Sequence, residues 1–286
     1  MSAIPAPTPT ETDPLLPPDS QQQQQQGPGT FSTRSSYSLP AFSMGSSSST
    51  VPSDRRSINS IDSQESKAHL GMIRRNLVSS RSSILAQVGI IGMFFYVVWR
   101  IMTSDIIFFT GHPALNNFAI LMLVQSIILV QPTATTAEKQ LGAMVHGLFN
   151  LFGAICYVMA FGIVFINKTS NGGAHIHSAH AAVGLLTYVI LLVNVIIGFT
   201  QYWMPGIYGS VTRAKSLYKY HRVLGYIGLF FSFLATGLAT ITPYNRNVLG
   251  IRFPIILGFM IATALGLAIR IRPHKFQGLR FKLRRN

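Results

Sequence analysis

Four histidines, His112, His146, His180 and His221, recur along this chain at intervals of 34, 34 and 41 residues, each at or just inside one end of a long apolar stretch. An imidazole placed in hydrocarbon is costly and is a candidate for function by default. Imidazole suits iron, copper and zinc. The single cysteine, Cys156, excludes a disulfide framework and any multi-cysteine metal or iron–sulfur site. A pair of histidines with no carboxylate or thiolate has too few ligands for a bare zinc or copper ion. Haem removes the shortage, because the porphyrin supplies four nitrogens and the protein only two axial ligands. His180 is followed four residues on by Gly184, and His221 by Gly225. The face that carries each of these rings then has no side chain one turn away, where a flat macrocycle could approach. Two haems, one per pair of histidines, are favoured over packing histidines and over a proton relay.

The elements that must position these rings follow from composition. Of 286 residues, 48% are hydrophobic and 11% charged, with a mean hydropathy of +0.36. A soluble domain has about a quarter of its residues charged, so this is a membrane protein with lipid as its surroundings. Residues 1–83 hold seven basic and six acidic residues, and residues 84–286 hold sixteen and two. The basic excess sits at the ends of apolar runs, which marks cytosolic loops rather than a nucleic-acid partner.

Residues 1–80, rich in Pro, Ser and Gln, are expected to be a disordered cytosolic tail. They contain no apolar run of the kind a cleaved signal peptide needs. Glu11 and the Leu15-Leu16 pair fit an acidic dileucine pattern similar to sorting signals of vacuolar, lysosomal and other endomembrane proteins, which places the chain there ahead of the plasma membrane.

Six apolar segments, at 84–102, 106–130, 141–166, 180–203, 222–241 and 253–271, are each about long enough to cross a bilayer. The expected fold is an all-α integral membrane protein, with six transmembrane helices over 84–271 and a basic cytosolic tail over 272–286. With both termini in the cytosol, sixteen cations face the cytosol and four, Arg100, Lys168, Arg246 and Arg252, face away. The Asn167-Lys168-Thr169 sequon then falls in the third loop, on the outer side, where glycosylation is permitted. The histidines are expected in the first turns of helices 2 to 5, His112 and His146 roughly 7 to 9 Å inside the helix starts. His112 and His180 then share the non-cytosolic leaflet, and His146 and His221 the cytosolic one. Such a bundle would move electrons between the two faces. A proton-coupled transporter is the alternative, although the helices hold no buried acid to partner a relay; a non-catalytic membrane scaffold is another, and it has no need of alternating histidines.

The stretches GHPALNNFAILM around His112, MVHGLFNLFGA around His146, HIHSAHAAVGLL around His180 and LYKYHRVLGYIG around His221 resemble the histidine-bearing helices of the cytochrome b561 family. The similarity is to its short transmembrane branch without a DOMON domain, whose helix 2 also ends in an apolar stretch followed by Pro, here SIILVQP. The resemblance implies a four-helix core of helices 2 to 5 with two haem b groups. It assigns His112 and His180 as axial ligands of the non-cytosolic haem iron and His146 and His221 of the cytosolic one, with no catalytic residue beyond the haems. It implies a transmembrane oxidoreductase, an ascorbate-dependent ferrireductase or monodehydroascorbate reductase, passing electrons from cytosolic ascorbate to a ferric chelate or monodehydroascorbate. The Tyr-Arg motif that ends helix 2 in ascorbate-using members is absent, which leaves another small reductant open as donor. Lys139 and Lys219, seven residues before His146 and two before His221, are candidates to bind an anionic reductant, with Lys215 and Arg222 in the same basic group. His175, five residues before His180, is a candidate to touch the acceptor. A homodimer is compatible with this sequence.

Overall fold

The computed structural model describes residues 55–78, 80–173 and 175–272. The dileucine pair and most of the basic C-terminal tail lie outside the described residues. Among the described residues eight α-helices follow in order: α1 Arg55–Val78, α2 Arg81–Met102, α3 Gly111–Val130, α4 Thr136–Ser170, α5 Ala179–Trp203, α6 Val211–Ser216, α7 Tyr218–Ala239 and α8 Phe253–Ala268. Among the described residues there is no strand, and the fold is an all-helical bundle of the expected class.

Local chemistry sets the helix starts. The Ser80 hydroxyl accepts from the Ser83 N–H at the start of α2. At α4 the Thr135 hydroxyl accepts from the Glu138 N–H, and the Glu138 carboxylate accepts from the N–H groups of Ala134 and Thr135. This reciprocal box satisfies donors that a helix otherwise leaves unpaired. It starts α4 at Thr136, five residues ahead of the apolar run. α4 is therefore 35 residues long, about 50 Å at 1.5 Å per residue.

Three expectations change with the length of α4. Lys139 belongs to α4 rather than to a loop. His146 is the eleventh residue of its helix, not in its first turn, whereas His112 and His180 are second in α3 and α5 and His221 is fourth in α7. The Asn167-Lys168-Thr169 sequon lies within the last turns of α4, where Asn167 O accepts from the Asn171 amide at 2.7 Å, instead of in a loop. Among the described residues five segments are long and apolar enough to cross a membrane, while α8 is shorter at 16 residues. The expected sixth span is thus trimmed to 253–268.

Packing is pairwise. α3 lies along α4, α2 along α8 and α5 along α7. The α2–α8 crossing is close because glycines face backbone. A Cβ on Gly89 would come within 2.6 Å of Thr263 N, and one on Gly266 within 2.4 Å of Ala86 N. Small residues at such crossings let membrane helices approach. Ile90, Met93 and Val97 of α2 join Val124 and Ile128 of α3 and Ile256 and Met260 of α8 in the buried core. Within it the Gln87 and Gln125 side chains exchange two hydrogen bonds, at 2.8 and 2.7 Å, joining α2 to α3. α4 and α5 instead turn large apolar side chains outward, among them Leu151, Val158, Leu192 and Phe199, as suits helices bathed in lipid.

The tail expected to be disordered through residue 80 carries α1. Its last turns are anchored: Met72 and Asn76 are buried, Asn76 donates to Leu129 O at 3.0 Å, and Arg75 pairs with Glu138 at the start of α4. Arg270, just beyond α8, completes the anchor. Its guanidinium donates to Asn76 O, Ser80 Oγ, Ile128 O and Gln131 Oε1 at 2.6 to 3.2 Å, tying α1, α2 and α3 to the end of α8.

Candidate functional site: two facing pairs of histidines

α3, α4, α5 and α7 carry one of the four histidines each. The rings of His112 and His180 face each other with centroids 6.3 Å apart and planes at 89°, and those of His146 and His221 with centroids 6.1 Å apart and planes at 79°. The partners in each case are 68 and 75 residues apart in sequence, and the pairs are the ones the alternating spacing predicted.

Each ring is also fixed from behind. His112 Nδ1 lies 3.0 Å from Ala160 O on α4, and His146 Nδ1 3.1 Å from Ser126 O on α3. His180 Nδ1 lies 2.9 Å from Ala235 O on α7, and His221 Nδ1 3.2 Å from Asn194 O on α5. A carbonyl oxygen can only accept, so each Nδ1 carries the proton and each Nε2 keeps a free lone pair. Helices thus trade bonds within the α3–α4 and α5–α7 pairs. In every helix the accepting carbonyl stands fourteen residues after that helix's own histidine.

This arrangement fits a haem at each pair. A metal-binding imidazole commonly donates its other ring N–H to a carbonyl, which fixes the tautomer and the ring orientation. Centroid separations of 6.1 and 6.3 Å leave room for one metal ion bonded at about 2 Å to a nitrogen of each ring. The α3–α4 and α5–α7 pairs touch each other at few points, so the histidines face across a seam. Gly184 lines open space, since a Cβ there would meet nothing within 4 Å. Gly225 is more confined, its Cβ position 3.2 Å from Asn194 Nδ2. Gly198 allows the α5–α7 contact at the second pair, because a Cβ there would lie 2.7 Å from His221 Cε1. Among the described residues no group of three or more His, Cys, Asp or Glu gathers as a conventional metal site, and half-buried Cys156 joins none.

The remaining candidates are less assembled. Lys139 is exposed on α4, seven residues before His146. The Lys219 ammonium sits over the Tyr220 ring, 5.1 Å from its centroid. Among the described residues no contact joins the two lysines. At the other end His175 is exposed and stacks on Phe165, centroids 5.1 Å apart. Phe109, from the turn before α3, stacks on His112 at 5.4 Å. One group went unread in the sequence. Asn116, one turn after His112, donates to His112 O at 2.8 Å and accepts from the Tyr188 hydroxyl at 2.9 Å. Its place four residues after His112 points to a hydrogen bond with a neighbouring helix or a haem, and more to helix packing, but nothing in spacing pairs it with a tyrosine 72 residues away.

Comparison with known proteins places this geometry. Residues 111–242, which contain all four histidines, match the family described as eukaryotic cytochrome b561. The transmembrane ascorbate-dependent reductase CYB561 of Bos taurus is 23% identical over 54% of this chain and 64% of its own length. The plasma membrane ascorbate-dependent reductase CYBRD1 of Xenopus laevis is 24% identical over 66% of this chain and 71% of its own length. The ascorbate-specific transmembrane electron transporter 2 of Zea mays is 22% identical over 43% and 51%. The chain spans between 39% and 64% of the length of the mammalian relatives it matches. The match to the eukaryotic cytochrome b561 family lies over residues 111–242, the segment that holds the facing histidines.

Proposed function

We propose that this protein is a transmembrane oxidoreductase that carries electrons through two bis-histidine b-type haems, from cytosolic ascorbate or a similar small reductant to a ferric chelate or monodehydroascorbate on the other face. The observation that carries the reading is the pair of facing imidazole pairs, each ring held by its Nδ1–H on a neighbouring helix. When bound, a haem supplies reversible one-electron chemistry at a potential set by axial ligands, hydrogen bonds and burial. The protein's part is to hold His112 with His180, and His146 with His221, at fixed separation inside an apolar bundle that excludes water. On α4, His146 and the Ala160 carbonyl behind His112 are fourteen residues apart, so the two centres stand about 21 Å from each other along that helix.

Lys139 and Lys219 would raise the local concentration of an anionic reductant beside His146 and His221, and His175 would meet the acceptor. The mammalian and maize relatives named for ascorbate support that donor. The sixteen-to-four division of cations supports both termini in the cytosol, and the dileucine pair supports an endomembrane address.

The test is vectorial. Purified protein should bind two haems per chain without covalent attachment. In sealed vesicles with ascorbate on the cytosolic side and a ferric chelate outside, ferrous iron should form outside only when the intact protein is present. Lys139→Gln with Lys219→Gln should slow reduction of the bound haems by ascorbate several-fold and leave haem content unchanged, and the difference should shrink at high salt. A haem-to-protein ratio of one or zero, or no electron transfer with any small reductant, overturns the proposal.

A further inference from the structure

The two histidine pairs have the same backbone pattern but different surroundings. Asn116 and Asn150 stand four residues after His112 and His146, and each donates its amide N–H to the backbone oxygen of that histidine at 2.8 Å. A second bond distinguishes them. The Tyr188 hydroxyl of α5 donates to Asn116 Oδ1 at 2.9 Å, whereas among the described residues Asn150 Oδ1 receives no donor. The direction of the first chain is forced. His112 O can only accept, so the amide nitrogen of Asn116 faces it and Oδ1 faces Tyr188, which must donate. The same orientation sets Asn116 Nδ2 3.4 Å from His112 Nδ1. Tyr188 is held in place for this, its ring edge-on to Tyr157 at 5.6 Å and to Phe161 at 5.5 Å.

The repeat gives the comparison. Tyr188 follows His180 by eight residues, and the residue eight after His221 is Leu229, which is buried and has no hydroxyl. Eight residues after its histidine, α5 therefore carries a phenol and α7 an isobutyl group.

We propose that Asn116 and Tyr188 are positioning residues that set the His112–His180 centre at a higher potential than the His146–His221 centre; this rests on the two-haem reading above. Donation by Tyr188 into the Asn116 carbonyl polarises the amide. The positive N–H end then stands beside the ring nitrogen of His112 and favours the electron-richer, reduced state of whatever that ring ligates. Without the hydroxyl the polarisation is lost and the bias falls. In the proposed topology the asymmetry runs downhill from the cytosolic to the outer centre, so Tyr188 would give the electron its direction.

The experiment is spectroelectrochemical, on full-length protein with bound haem. The component that disappears in His180→Ala is assigned first to the outer centre. Tyr188→Phe keeps the ring and its packing and removes one oxygen; it should lower the midpoint of that component, leave the other unmoved and keep both haems bound. Asn116→Leu should lower the same midpoint, and Tyr188→Phe added to it should have little further effect. Leu229→Tyr is the converse probe and should raise the other midpoint. Unchanged midpoints in both single variants, or equal shifts of both components, overturn the proposal while leaving the two-haem reading intact. A wild-type protein with one component or none overturns the reading itself, and the proposal with it.

Discussion

Each of the four imidazoles has one nitrogen committed to a backbone carbonyl and the other turned toward a partner ring. No ring can exchange its partner without breaking the bond behind it, so substitutions should act by pair. His146→Ala and His221→Ala are each expected to lower haem content from two per chain to about one and to remove the same spectral component. His112→Ala and His180→Ala should remove the other. Loss of a shared component in His146→Ala and His180→Ala, read from difference spectra, would contradict the pairing. The pairs were legible in the sequence because one helix and one loop per step alternate the membrane face, and residue type and spacing carry that information. The carbonyls of Ser126, Ala160, Asn194 and Ala235 were not legible, since a backbone oxygen has no residue type. Nor was Tyr188, whose hydroxyl finds Asn116 through folding alone.

Among elements, the apolar runs announced six helices, and their ends were the part that misled. α4 begins at Thr136 because Thr135 and Glu138 form a capping box, a T-x-x-E signal present in the sequence but outside the apolar run. That placed His146 three turns inside its helix instead of in the first. α1 was invisible to hydropathy because its residues are polar and its support is tertiary, from Asn76, Arg75 and Arg270. The α2–α3 contact depends on a buried amide pair, and its energetics can be read by substitution. Gln125→Leu leaves Gln87 Oε1 without its donor and is expected to destabilise the bundle by about 1 kcal/mol. The double variant Gln87→Leu, Gln125→Leu removes both polar groups and should recover most of that loss. Thermal unfolding in detergent, monitored by helical circular dichroism, compares the wild type with the two variants; a double variant no more stable than Gln125→Leu would refute the pairing argument.

At the scale of the whole molecule, Arg270 donates at once to oxygens at the end of α1, the start of α2 and the end of α3. In the sequence it is one more cation on the cytosolic side, indistinguishable from Arg272. Arg270→Met should cost about 2 kcal/mol, the loss of hydrogen bonds to a charged donor, and should release α1 first. Protease cleavage within residues 55–78 should accelerate while the haem spectrum stays unchanged, because the hydrogen bonds of Arg270 go to none of the four facing histidines; equal cleavage rates would show α1 to be held by other contacts. The fourteen-residue interval between each histidine and the carbonyl its helix lends to a neighbour makes these helices rulers matched against one another. Fourteen residues bring the two positions to nearly the same side of an α-helix, so a ring and a carbonyl offered by one helix meet a carbonyl and a ring offered by the next. Inserting a single residue between the two marks would turn one relative to the other by about 100° and slide it about 1.5 Å. Such a change alters no side chain at either site, yet it detaches a histidine on the neighbouring helix, and in this segment the chain can therefore change its letters far more freely than its length.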